Sequence, residues 1–267
     1  MKRNPAVAGQ FYHGTEARLK EQVEEYIIAD NPREKVIGML SPHAGLIYSG
    51  HVAGAVFSSI TIPQTFILLG PNHTGLGPAI SLMDSGEWEI PTGIFKIDSR
   101  LASKIALNAG KITRDSKAHI FEHSLEVQLP FIAWFSTDVK IVPIALLSAS
   151  LDNCIELAGQ IAVAVKTTDY PVVILASSDM SHYLPVKQAL LKDTMAIQKI
   201  LDLDPEGLYK TVLKERITMC GYLPATVMLA AAKILGADSA KLIKYATSGE
   251  ISGDYESVVG YAGIVVK

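Results

Sequence analysis

Thr65-Phe-Ile-Leu-Leu-Gly-Pro-Asn-His73 is an apolar run that stops at a turn and delivers a histidine. Two other stretches are built the same way. Val36-Ile-Gly-Met-Leu40 leads into Ser41-Pro-His-Ala-Gly45, and Val172-Val-Ile-Leu-Ala176 leads into Ser177-Ser-Asp-Met-Ser-His182. Short apolar runs bounded by turn-forming residues read as strands buried on both faces. In open α/β sheets ligands gather beyond the carboxyl ends of the strands. If these strands are parallel neighbours, His43, His73 and the pair Asp179 and His182 share one region.

Working outward, the spacing of apolar residues predicts helices over 20–28, 51–60, 101–108, 122–135, 151–165, 186–201, 205–213 and 222–235. Further strands are predicted at 79–83, 87–90, 139–147, 242–245 and 258–266. Strands alternating with helices imply an α/β fold with a central mixed sheet flanked by helices. No linker, charge block or internal repeat interrupts the pattern, so residues 1–267 read as a single domain. The strand at 258–266 reads either as internal or as an edge used for dimerisation.

Composition narrows the function. Of the 267 residues 49% are hydrophobic and only 19% charged, against roughly 25% in typical soluble proteins, which implies much buried chain. With 24 basic against 27 acidic side chains there is no basic footprint for nucleic acid. Residues 36–83 contain no Asp, Glu, Lys or Arg, but Pro42, His43, His51, Pro63, Pro71, Asn72 and His73 interrupt them, so they read as core strands and turns. Neither a membrane span nor a targeting segment is expected. Two cysteines, Cys154 and Cys220, are too few for a disulfide framework and fit a reducing, cytoplasmic setting.

Converging imidazoles with one anionic donor make a mononuclear metal site. The candidate anions are Asp179 and Cys220. Cys220 precedes a long apolar helix, whose positive end favours thiolate, though a small buried hydrophobe is an equal reading. Cys154, inside a helix without polar company, reads as core. His123 lies among Glu122, Ser124 and Glu126 at the start of the helix predicted over 122–135, where the two carboxylates share one face. It is either part of a solvated first turn or an acid/base group aimed into the cleft. His13, His51 and His119 read as structural or surface residues. Phosphate-binding glycine loops, the zinc-protease helix and the serine-hydrolase elbow are absent.

Six motifs in order carry a resemblance. Pro5-Ala-Val-Ala-Gly-Gln-Phe-Tyr12, Ser41-Pro-His-Ala-Gly45, Gly70-Pro-Asn-His73, Glu122-His-Ser-Leu-Glu-Val-Gln-Leu-Pro130, Ser177-Ser-Asp-Met-Ser-His182 and Cys220-Gly221 resemble the Memo family. His13 departs from it, since a proline commonly follows the tyrosine. The resemblance implies a fold similar to the class III extradiol dioxygenases of the LigB type, which hold non-haem Fe(II). It implies His43, His73 and Cys220 as metal ligands, with Asp179 and His182 lining the pocket. His182 would be the acid/base and His123 a second cleft histidine. Fe(II) is the expected metal, and a thiolate ligand makes copper or zinc credible as well.

The expected function is redox or oxygen-related chemistry on an unidentified small substrate. A non-catalytic scaffold using the same pocket for a peptide or partner protein is the alternative, and a metal-assisted hydrolase a third. Whether the chain is an enzyme stays open at this point. Prokaryotic members also imply AMMECR-type and radical-SAM proteins as partners.

Overall fold

A computed structural model describes residues 1–107 and 111–267. The chain opens with strand β1 (Lys2–Arg3) and helix α1 (Glu16–Glu24), followed by β2 (Gly38–Ser41) and α2 (Leu46–Ser58). Next come β3 (Thr65–Pro71), the short strands β4 (Ile80–Leu82), β5 (Glu87–Ile90) and β6 (Gly93–Lys96), and α3 (Ser99–Ala106). After β7 (Thr113–Arg114) there are two 3-10 turns, Lys117–His119 and Glu126–Gln128, the second running into α4 (Leu129–Phe135). Then follow β8 (Lys140–Leu146), α5 (Leu151–Lys166), β9 (Val172–Ser177) and β10 (His182–Leu184). Helices α6 (Val186–Leu201), α7 (Pro205–Lys214) and α8 (Tyr222–Ile234) lead to β11 (Ala240–Thr247), the single turn α9 (Gly249–Ser252) and β12 (Val258–Val266).

The large sheet is mixed and runs β10-β12-β2-β9-β3-β8-β4-β7, with β11 also on β12. Its centre, β2-β9-β3-β8, is parallel. β12 is antiparallel to both β2 and β11, so the strand at 258–266 is internal rather than an edge. A smaller sheet joins β1, β5 and β6.

Alternation along the central strands divides the core between two faces. Leu40, Ile67, Leu69, Ile174 and Ala176 pack with apolar residues of α3, α5, α7 and α8. Met39, Phe66, Leu68, Val173 and Leu175 point the other way, onto α1, α2, α4 and the small sheet. With both faces covered, neither side of a strand can be polar, and this is why the runs carry no charge. The expected α/β fold, a mixed sheet flanked by helices, is the one observed. Among the described residues no helix is long and apolar enough to cross a membrane.

Some expected boundaries are corrected. The helix expected over 122–135 is α-helical only from Leu129, and Pro130 sits in its first turn. Proline has no amide hydrogen and is tolerated there, whereas deep inside a helix it would break the ladder. α2 begins at Leu46 rather than at 51, because Gly45 turns the chain and its carbonyl accepts the Ser49 amide. α1 begins at Glu16 rather than at 20. The helix expected over 101–108 ends on Asn108, outside the described residues.

Candidate metal centre

Register brings the three strand ends together. Ser41 pairs with Ser177 across β2 and β9, and Leu69 pairs with Ala176 across β3 and β9. The residues just beyond, His43, Asp179 and His73, therefore leave the sheet at one level. Two glycines allow the surrounding chain to close in. A side chain at Gly70 would meet Leu125 and Ser124, and one at Gly221 would meet the Ser177 carbonyl. With a Cβ at either position the turn at 122–125 and the segment of Cys220 could not pack against the strand ends.

His43, His73 and His123 form the cluster. Each offers a ligand nitrogen, and these nitrogens all lie within 4.8 Å of one another. Ring centroids are 5.3 Å apart for His43 and His73, 5.5 Å for His43 and His123, and 4.6 Å for His73 and His123. The last two rings are nearly parallel, at 20°. Phe11, from the N-terminal segment, packs against His123 with centroids 4.6 Å apart and rings tilted by 43°.

His73, His182 and His43 are each held through Nδ1. His73 places Nδ1 2.9 Å from Glu122 Oε1, and its backbone amide donates to Glu122 Oε2. Burial opposes ionisation of Glu122, but the hydrogen bond and charge interaction with His73 and the Ser124 amide outweigh it and hold the carboxyl near 2. An ionised carboxylate only accepts, so Nδ1 of His73 carries a proton and Nε2 is the nitrogen left for a metal. His182 is fixed in the same tautomer, since its Nδ1 lies 2.8 Å from the Thr218 carbonyl. His43 is buried, with Nδ1 2.8 Å from Ser177 Oγ. Burial, together with the neighbouring His123 and His73, keeps it well below the usual imidazole range, as a neutral ligand must be. Burial also lowers His123, against the pull of Glu122.

Cys220 meets this cluster at His43 and lies outside the group of three histidine nitrogens. Its Sγ is 3.3 Å from His43 Nε2 and accepts the Asp179 amide at 3.3 Å. An ion shared by an imidazole at about 2.0–2.1 Å and a thiolate at about 2.3 Å holds those donors roughly 3.1 Å apart at a right angle and roughly 3.6 Å at the tetrahedral angle. The observed separation lies inside that interval, so His43 and Cys220 are spaced as two donors to one metal ion would be. The expectation that the helix N-terminus depresses the Cys220 thiol is reversed: burial and the Asp179 carboxylate push it up. In the metal-free chain it is a thiol, which a bound metal would deprotonate. The Asp179 carboxylate accepts from the backbone amides of His43 at 2.8 Å and Ala44 at 3.2 Å, tying one loop to the other. Burial raises its pKa despite these bonds.

The sequence reading of Glu122 and Glu126 as carboxylates on one helix face is also corrected. Both are fully buried, on a turn and a 3-10 segment, and they face opposite partners, His73 and Arg3. Cys154 is buried in α5 and burial pushes its thiol up to about 12, as a core residue. Reading by motif passed over Ser177, Gln128 and Thr218, the residues that hold His43 and His182. Two of them lay inside quoted motifs, which was the available signal.

A family model described as Memo-like protein matches residues 3–265. A MEMO1 family protein of Methanothermobacter thermautotrophicus is 38% identical, covering 98% of this chain and 99% of its own length. One from Methanococcoides burtonii is 42% identical, covering 99% and 100%. Among solved structures, an uncharacterized protein from Escherichia coli K12 has a TM-score of 0.61, covering 86% of this chain and 100% of that chain. At 14% identity that likeness concerns the fold alone.

Proposed function

The chain belongs to the Memo family, and from that premise we propose that it holds one Fe(II) on His43, His73 and Cys220 and carries out redox chemistry on a small molecule. The observation that carries this reading is that His43 and His73 bring ligand nitrogens within 4.8 Å of each other, with Cys220 Sγ 3.3 Å from His43 Nε2. When bound, Fe(II) would supply open coordination positions and an exchangeable electron.

The residues have separate roles in this reading. His43 and His73 bind through Nε2. Cys220 is the third donor, favoured over His123 because the nearly parallel stack of His123 on His73 sets their in-plane lone pairs side by side instead of converging. His123 and Phe11 then form one wall of the substrate cleft. His182, with its proton fixed on Nδ1, has Nε2 free to take a proton from the bound molecule. Asp179 positions the loops of His43 and Cys220.

Anaerobic Fe(II) titration and elemental analysis, beside His43→Ala and Cys220→Ser, test the proposal. One metal per chain, lost in both variants, supports it and calls for an oxygen-uptake screen of catechols and other small aromatics. A wild type that binds no more metal than the variants overturns it, and the cluster then reads as the lining of a recognition pocket.

A further inference from the structure

Ser177 and Gln128 take no part in the chemistry proposed above, yet both are fully buried behind His43. The position of every hydrogen there follows from the acceptors. The Pro42 carbonyl can only accept, so the Gln128 amide group 2.9 Å away is Nε2. The second hydrogen of Nε2 points to Ser177 Oγ, also at 2.9 Å. The Ser124 carbonyl, 2.7 Å from Ser177 Oγ, takes the single hydroxyl hydrogen. Ser177 has no hydrogen left for His43 Nδ1, 2.8 Å away, and that contact closes only if the imidazole donates. One hydrogen and two lone pairs of the hydroxyl are then all used.

We infer that Ser177 and Gln128 are positioning residues that fix His43 as its Nδ1–H tautomer and so leave Nε2 bare toward Cys220. Two backbone carbonyls, of Pro42 and Ser124, set the direction of the relay, so it persists whether or not a metal is present. Metal-binding histidines generally depend on such a partner for the other ring nitrogen. The inference deepens the metal reading and rests on it only for affinity. The tautomer itself rests on the hydrogen bonds alone.

Long-range proton–nitrogen correlation spectra of histidine-labelled, metal-free protein read the tautomer directly, with His43→Gln identifying the signals. The expected wild-type result is a proton on Nδ1, and Ser177→Ala should move it to Nε2 or populate both forms. A His43 protonated on Nε2 in the wild type overturns the inference, and this needs no variant of the relay to fold. Fe(II) competition titration supplies the second arm. Ser177→Ala should weaken binding by about 10- to 100-fold, Gln128→Met by less, and Ser177→Thr, which keeps the hydroxyl, should bind close to wild type. Unchanged affinity in Ser177→Ala overturns the positioning role. The predicted tautomer in a wild type that binds no metal would sustain the relay while refuting the metal centre.

Discussion

Arg3 and Glu126 form an ion pair 2.6 Å long with both side chains shut away from water. Glu126 also accepts the amides of Ala6 and Val7 and the Tyr12 hydroxyl, and Arg3 donates to the carbonyls of His119 and Glu122. The guanidinium lies over the Trp88 ring, 4.1 Å from its centroid. The first dozen residues are thereby buckled onto the turn that carries Glu122, His123 and Ser124, and Phe11 is brought to His123. Removing one partner of a buried pair strands the other charge, which costs about 3–5 kcal/mol. Glu126→Ala should lose stability of that order in urea unfolding, and adding Arg3→Met should recover part of it. A loss no larger than that of an exposed pair such as Lys20 and Glu16 would sink this account.

Glu122 has a different task, because its carboxylate holds both the backbone and the ring of His73. Glu122→Gln keeps the shape but turns an amide group toward backbone hydrogens that need an acceptor. The expected outcome is Fe(II) affinity lower by about 10- to 100-fold and a stability loss of about 1–3 kcal/mol, measured by titration and by urea unfolding. Unchanged affinity would show that His73 is oriented by its loop alone.

The strand ends were legible because their signals are local: an apolar run, a turn and a histidine within nine residues of Thr65-Phe-Ile-Leu-Leu-Gly-Pro-Asn-His73. Their parallel order was an assumption of that reading, and the pairing of β2, β9, β3 and β8 meets it. What stayed hidden depends on contacts between residues far apart in the chain. Gln128 reaches Pro42, and His182 reaches Thr218, so no spacing encodes either bond. The turn at 122–125 was misread as helix because Leu125, Leu129, Ile132 and Ala133 keep a helical spacing. Pro130 was the signal against it. β10 and β6 escaped notice because each is short and partly exposed, with no apolar run to mark it.

Asp98, the N-cap of α3 at the opposite end of the sheet, predicts the acid limb of stability. Burial works against its charge, but hydrogen bonds from the Tyr170 hydroxyl, the Leu101 amide and the Thr65 hydroxyl win, and its pKa is lowered. A carboxyl depressed in the folded state stabilises fully above its unfolded value, about 3.9, and loses that contribution as pH falls through the folded value. Urea midpoints of the wild type should therefore fall more steeply below about pH 4 than those of Asp98→Asn. At neutral pH the variant should be weaker by about 1 kcal/mol, the usual cost of a lost cap. Parallel curves for the two proteins would mean that Asp98 has no part in acid unfolding.

His182 separates proton transfer from metal binding. Its backbone amide donates to Thr218 Oγ1 at 2.7 Å and its ring to the Thr218 carbonyl at 2.8 Å, so both orientation and tautomer are set by one residue of the segment before Cys220. His182→Ala should keep the wild-type metal content, because neither nitrogen of this ring is needed as a ligand. Turnover of a substrate found by oxygen uptake should fall by about 10²- to 10⁴-fold, the usual contribution of a positioned acid or base. Thr218→Ala, which frees the amide but leaves the carbonyl, should give a smaller loss and no change in metal. Loss of metal from His182→Ala would instead make His182 a ligand, and the proton acceptor would have to be sought at His123, the remaining cleft histidine.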